Sequence, residues 1–274
     1  MSAERYLELV SPAGTPAALR AAVDAGADTV YCGFRDCTNA RNYPGLNFDV
    51  EEMEEGVAYA HEHGAQLLVA INTFPLAGNE EPWHRAIDNA AMVGADAIIM
   101  ADIGLLDYAT TKHPDLRRHL SVQAAASNPL SIAFYRDRFD IKRVVLPRVL
   151  EIAEVKSIIE EIGIETEVFC FGSVGTMSEG RCFLSSYMTG MSPSSDGVCA
   201  PASCVSYKEK DGCMHSCLGD VTLNKFEKDE PAAYPTPCKG RYITRGEASY
   251  LFEEPVGWNV IDLLPDLKTA GVTA

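Results

Sequence analysis

The chain has 274 residues, 47% hydrophobic and 23% charged, which suits one large α/β core and shows none of the apolar deficit of a disordered chain. Its 39 acidic residues outweigh 23 basic ones, and the formal charge of −16 repels polyanions, so nucleic acid is not an expected partner. No stretch offers the ~18 uncharged apolar residues of a transmembrane segment, and the start lacks a signal peptide's apolar core; the expected compartment is the cytoplasm, where the nine cysteines stay reduced.

From the N-terminus, short runs rich in Val, Ile and Leu predict strands at 7–14, 28–34, 66–73, 96–102, 119–125, 143–147 and 166–172. Between them, apolar residues at helical spacing predict helices at 15–27, 49–65, 82–95, 104–114, 128–139 and 149–163. Gly26, Gly64, Gly94 and Gly163 stand where left-handed C-caps close four of these helices. Strand and helix alternate without a break, which demands parallel strands with helical crossovers and favours a TIM-like (β/α) barrel over an open doubly wound sheet.

The rhythm stops near Cys170. Residues 171–242 are rich in Gly, Ser, Pro and Cys and read as turns and loops, a length that is uncommon in a compact domain unless functional or cross-linked. The segment "NVIDLLPDLKTAGVTA" reads as a helix reaching Gly271 and then the first residues of a strand, so the barrel is expected to lack its last strand. The expected organisation is barrel units one to seven over 1–170, a cysteine-rich loop region over 171–242, and a return to the barrel over 243–274.

Ser11, Asn39, Arg41, Asn72, Asp102, Gln123 and Arg148 follow strand C-termini, the rim where barrel enzymes place their sites. Arg41 and Arg148 suit bidentate pairing with a dicarboxylate, and Asn39, Asn72 and Gln123 suit its orientation by hydrogen bonds. Each residue fits a helix cap or loop brace equally well. Asp102 and Glu179 are both candidates for acid or base. His61 and His63 end a helix and read as structural.

The stretches "ELVSPAGTPAALRAAVDAGADTVYCG", "DCTNARNYPGLNF", "MSEGRCFLSSYMTG" and "YPTPCKGRY" resemble the collagenase-like family of U-type peptidases, and within it the UbiU branch of O2-independent ubiquinone synthesis. The resemblance runs through essentially the whole chain. It implies a TIM-like barrel, a [4Fe–4S] cluster, a heterodimer with a UbiV-like protein, and hydroxylation of a ubiquinone precursor with prephenate as oxygen donor. Relatives that hydroxylate RNA bases supply an alternative, and a scaffold without a cluster is another.

The cluster ligands implied by the resemblance are Cys182, Cys199 and Cys238, while Gly175 stands where the family places its first cysteine. Cys170, at the end of an apolar strand run, is the candidate substitute. Iron–sulfur clusters require thiolates converging from separate loops, which these loops permit. Cys204, Cys213 and Cys217, near His215, lack the tight paired spacing usual for zinc. Cys32 and Cys170 also read as small buried hydrophobes. With no Gly-x-Ser-x-Gly elbow and no His-Glu-x-x-His helix, peptidase activity is not expected.

Overall fold

The computed structural model describes residues 7–43, 45–173, 175–199, 205–210, 213–216, 222–224, 236–252 and 257–274. Seven parallel strands form one sheet in chain order: β1 (Val10–Pro12), β2 (Thr29–Cys32), β3 (Gln66–Ile71), β4 (Ala97–Met100), β5 (Arg117–Leu120), β6 (Arg143–Val145) and β7 (Glu165–Glu167). The crossovers are helices α1 (Pro16–Asp24), α2 (Val50–Glu62), α3 (Glu81–Met92), α4 (Ile103–Lys112), α5 (Pro129–Phe139) and α6 (Ile152–Ile162).

Local chemistry sets these boundaries. Thr15, Asp49, Asp102 and Asn128 each accept the N–H three residues on, at 2.9 to 3.1 Å, so four helices start on a side-chain cap. Asp49 and Glu52 complete a reciprocal capping box. Gly26, Gly64, Gly94 and Gly163 all carry positive φ at helix ends, as their positions in the sequence predicted.

Alternation along the strands sorts side chains onto two faces. Val30, Leu67, Val69, Ile98, Met100, Leu120 and Val144 face the helices and join Leu19, Met53, Trp83, Ile87 and Phe139 in the main core. A separate small cluster of Leu68, Ala97 and Ile99, with Tyr31 against it, lies on the other face.

Around the rest of that face the burial is ionic. Arg143, only 4% exposed, binds Glu8, Glu165 and Glu167, while Arg117 pairs with Glu165 and donates to His119 Nε2. His119 Nδ1 and Thr166 Oγ1 are buried without a hydrogen-bond partner among the described residues. Burial, then Arg143 and Arg117, push His119 well below the usual imidazole range.

The chain departs from the expected strands at two places. Strand β5 stops at Leu120, because Ser121 Oγ accepts Gln123 N–H at 3.2 Å and starts a single 3₁₀ turn over Val122–Ala124. The run expected as one strand over 166–172 is split: β7 ends at Glu167, and β8 (Phe171–Ser173) pairs antiparallel with a later strand. Cys170 therefore sits half-buried between two strands, its carbonyl accepting Val260 N–H at 2.8 Å, rather than inside a barrel strand.

The region expected as turns and loops also carries regular structure: α7 (Leu184–Thr189), a three-stranded antiparallel sheet of β9 (Val205–Lys210), β10 (Cys213–Ser216) and β11 (Thr222–Asn224), and a hairpin of β12 (Arg241–Thr244) with β13 (Glu247–Tyr250). Strand β14 (Gly257–Asn259) partners β8, and α8 (Leu264–Ala270) leads back to the barrel.

No eighth strand forms among the described residues, yet its place is marked. Thr273 N–H donates to Thr166 carbonyl at 3.0 Å and its own carbonyl accepts Glu8 N–H at 2.9 Å, while Val168 N–H reaches Ala274 carbonyl at 3.0 Å. These last residues bridge the two edge strands, meeting the chain just before β1 and running along β7 from Thr166 to just past its end. No helix among the described residues is long and apolar enough to cross a membrane.

Candidate functional site

At the C-terminal rim the barrel opens into a cavity of about 280 Å³. Asn39, Arg41, Asn72, Gln123 and Arg148, the rim residues proposed from sequence, all line it. Ser11 and Asp102 do not. Asp102 caps α4, its Oδ1 accepting Leu105 N–H at 3.0 Å, so its candidacy as acid or base is replaced by a structural role.

The five lining residues divide by what they touch. Asn39 is fully engaged in its own loop, donating to Asn47 Oδ1 and accepting Arg41 N–H, both at 3.0 Å. Asn72 Oδ1 accepts Ala40 N–H at 3.0 Å, which leaves its amide nitrogen without a protein partner among the described residues. The Gln123 side-chain amide likewise has none among the described residues, although the residue is 7% exposed.

Arg148 is held twice, by Glu179 Oε1 at 2.9 Å and by the Phe169 ring 3.5 Å below its guanidinium. Burial lowers its affinity for a proton, and Glu179 opposes that effect. Among the described residues the Arg41 guanidinium donates only to Ala40 carbonyl, at 3.3 Å, and has no carboxylate partner. It is exposed through the open mouth of the cavity it lines. Desolvation opposes its charge, and Cys199, Tyr43, Tyr31 and Cys182 outweigh that and favour it.

Sequence reasoning missed Tyr31, Tyr43, Glu167 and Phe169, which also line the cavity. Burial raises Glu167 above the usual carboxylate range despite Arg143, and burial followed by the Glu167 charge raises Tyr31. A charged residue inside an apolar barrel run, as in "TEVF", was the available signal for Glu167.

The cysteine-rich segment is pinned over this cavity by several barrel loops. Phe74 N–H donates to Ser194 carbonyl at 2.8 Å, and Glu179 reaches Arg148. Gly180 and Gly197 have positive φ, and a Cβ on the first would collide with Gln123 carbonyl while one on the second would lie 2.5 Å from Asn39 carbonyl. Only glycine allows so close a backbone approach at such angles.

That docking leaves three thiols close enough to act on one another electrostatically. Cys182 and Cys199 both act electrostatically on Cys238 and on Arg41, and the Tyr43 hydroxyl donates to Cys199 Sγ at 3.6 Å. Burial raises the Cys238 thiol, with Thr236 opposing. Free thiols from three loops, half-buried beside a cation and a hydroxyl donor, fit an iron–sulfur centre better than a structural zinc. Among the described residues no three His, Cys, Asp or Glu side chains converge on a single-ion position, which a centre with each thiolate on its own iron does not require.

Cys170 shares none of these interactions among the described residues. Cys32 lies in the core with Sγ 3.4 Å from Met53 Sδ, in keeping with the inert reading. Cys204 and Cys217 of the zinc reading lie outside the described residues. His61 binds Asp96 at 2.9 Å and His63 the Tyr59 carbonyl at 2.8 Å, both structural.

Seven parallel strands, a rim cavity and a cysteine-rich segment pinned above it define a barrel of the TIM class with its candidate site at the usual end. The chain belongs to peptidase family U32, whose model matches residues 14–274. It is 32% identical over 242 residues to an uncharacterized protease of Methanocaldococcus jannaschii, covering 86% of this chain and 54% of that protein. It is 34% identical over 271 residues to tRNA hydroxylation protein P1 of Bacillus subtilis, covering 97% of this chain and 56% of that protein. The chain thus spans about half the length of these curated relatives. Among solved structures, the U32 peptidase Mk0906 matches 63% of this chain and 71% of its own at 19% identity and a TM-score of 0.52, a likeness in fold.

Proposed function

We propose that the chain is the iron–sulfur subunit of an oxygen-independent hydroxylase that acts on an aromatic or heteroaromatic ring held in the rim cavity. The observation that carries this reading is the contact of the cavity with a thiol: Tyr43 lines the cavity and its hydroxyl donates to Cys199 Sγ, with Arg41 lining the cavity beside it. Cys182, Cys199 and Cys238 would hold a [4Fe–4S] cluster, which when bound supplies one-electron chemistry beside the ring. Tyr31 and Phe169 offer faces for the ring, Asn72 and Gln123 offer hydrogen bonds to its edge, and Arg41 holds an anionic group of the ring or of a co-substrate.

Two substrate classes compete. A nucleobase in RNA is supported by the relative named for tRNA hydroxylation. A ubiquinone precursor, with prephenate as oxygen donor and a UbiV-like partner, is supported by the charge of −16 and by a cavity of about 280 Å³, room for a single ring. The charge argument makes the quinone precursor our first choice.

The test is anaerobic purification with and without a UbiV-like partner, iron and sulfide analysis, and then incubation with prephenate and either the precursor or unmodified tRNA. Mass spectrometry should show one added oxygen on the precursor. Addition to tRNA alone moves the assignment to RNA, and addition to neither in an iron-replete protein refutes the hydroxylase reading.

A further inference from the structure

Arg41 and Tyr43 belong to one tightly held turn. Tyr43 N–H donates to Arg41 carbonyl at 2.8 Å, Asn47 Nδ2 donates to the same carbonyl at 3.1 Å, and Asn39 Oδ1 accepts Arg41 N–H at 3.0 Å. Gly197, two residues before Cys199, packs on the Asn39 carbonyl of this turn. The backbone that carries both side chains is therefore fixed beside the cavity, against the segment that bears Cys199. Arg148 is already neutralised by Glu179, whereas Arg41 has no carboxylate partner among the described residues.

We propose that Arg41 and Tyr43 couple the cavity to the cluster, so that a carboxylate bound beside Arg41 makes the cluster harder to reduce. The inference rests on the cofactor reading above. Reduction adds one electron to the thiolate-bound centre, and a fixed cation and an O–H···S donor both stabilise the added negative charge. A carboxylate paired with Arg41 cancels most of the cation's field at Cys199 and Cys182, so the reduced form loses that support and the potential falls. Linkage makes the effect reciprocal: reduction weakens carboxylate binding by the same factor by which binding disfavours reduction. The oxidised site holds its anion, and the arrival of an electron loosens it.

The test uses the anaerobically reconstituted protein, dithionite as reductant, and benzoate as the probe anion. Iron and sulfide analysis comes first, and a protein that holds no iron overturns the cofactor reading and this inference together. In iron-replete wild type, benzoate should lower the midpoint potential. A tenfold weaker affinity for the reduced form corresponds to a fall of about 59 mV for a one-electron centre. Tyr43→Phe should lower the midpoint without benzoate and keep the benzoate shift, because the guanidinium remains. Arg41→Gln should lower the midpoint and abolish the shift. The wild-type measurement depends on no variant, and a normal cluster whose midpoint benzoate leaves in place overturns the inference alone.

Discussion

The helix-facing side of the sheet carries Val30, Leu67, Val69, Ile98, Met100 and Val144, each fully buried, whereas the inner side carries Tyr31, His119, Arg143 and Glu167 among a small apolar cluster. Hydrophobic burial on the first side needs no partner and stabilises by area alone. Burial of charge on the second side is tolerated only because Arg143 meets three carboxylates at once, and such a set recovers at best its own desolvation cost. Stability therefore comes chiefly from the outer layer, and the inner layer holds the groups that can do chemistry.

The largest expected effects come from breaking one side at a time. Trp83, 1% exposed with Nε1 donating to Thr73 at 2.8 Å, fills the space between α3 and the sheet. Trp83→Ala should cost about 3 to 5 kcal/mol through the cavity it leaves, at every pH. Arg143→Met should cost a similar ~3 to 5 kcal/mol at neutral pH, because Glu8, Glu165 and Glu167 lose their shared cation. That cost should shrink as acid protonates the carboxylates. Urea unfolding of both variants from pH 8 to pH 4 separates the two sides, and a pH-independent penalty for Arg143→Met would show that the inner charges matter only as packing.

A smaller effect isolates one group of the inner layer. Burial first, then Arg143 and Arg117, hold His119 well below its ordinary value of 6.5, so the folded protein keeps it neutral. The unfolded chain takes up a proton below about pH 6.5, and a group with a depressed folded pKa contributes stability above that point and loses it as the pH falls. Between pH 6.5 and 5, stability should fall by up to ~1.4 kcal/mol per pH unit from this residue. His119→Gln keeps an acceptor for Arg117 and should flatten that slope. A slope unchanged in the variant would assign the acid sensitivity to carboxylates instead.

The same division explains what the sequence disclosed. Strands β1 to β7 and helices α1 to α6 were legible because Val- and Ile-rich runs alternate with capped helices, as at Asp49 and Asn128. Asn39, Arg41, Asn72, Gln123 and Arg148 could be placed at the rim cavity because they follow strand ends, a position that needs no knowledge of side-chain direction. Tyr31 and Glu167 were hidden inside runs that read as core, since parallel strands are buried on both faces and their sequence does not say which face is the interior. Tyr43 was hidden for another reason: its partner Cys199 lies 156 residues away in the chain, and only the glycine-mediated docking of the cysteine-rich segment brings them together.

The smallest expected effect on folding, and the sharpest test of that segment, is at Gly175. Unlike Gly180 and Gly197, it has no left-handed φ, and among the described residues a Cβ there meets only Met177 carbonyl, at 3.8 Å, which is ordinary contact. Nothing in the backbone therefore demands glycine, and Gly175→Cys should change stability by no more than about 0.5 kcal/mol. Its effect should fall on the metal. On the cofactor reading proposed above, a fourth thiolate joining Cys182, Cys199 and Cys238 would close the coordination of a centre that three thiolates would leave open at one iron, so loss of visible absorbance in air and in a chelator should slow. The comparison is made on wild type and variant at equal starting iron. Equal rates of loss would place residue 175 outside the thiol cluster, and the open iron would then be held by some other group of this chain.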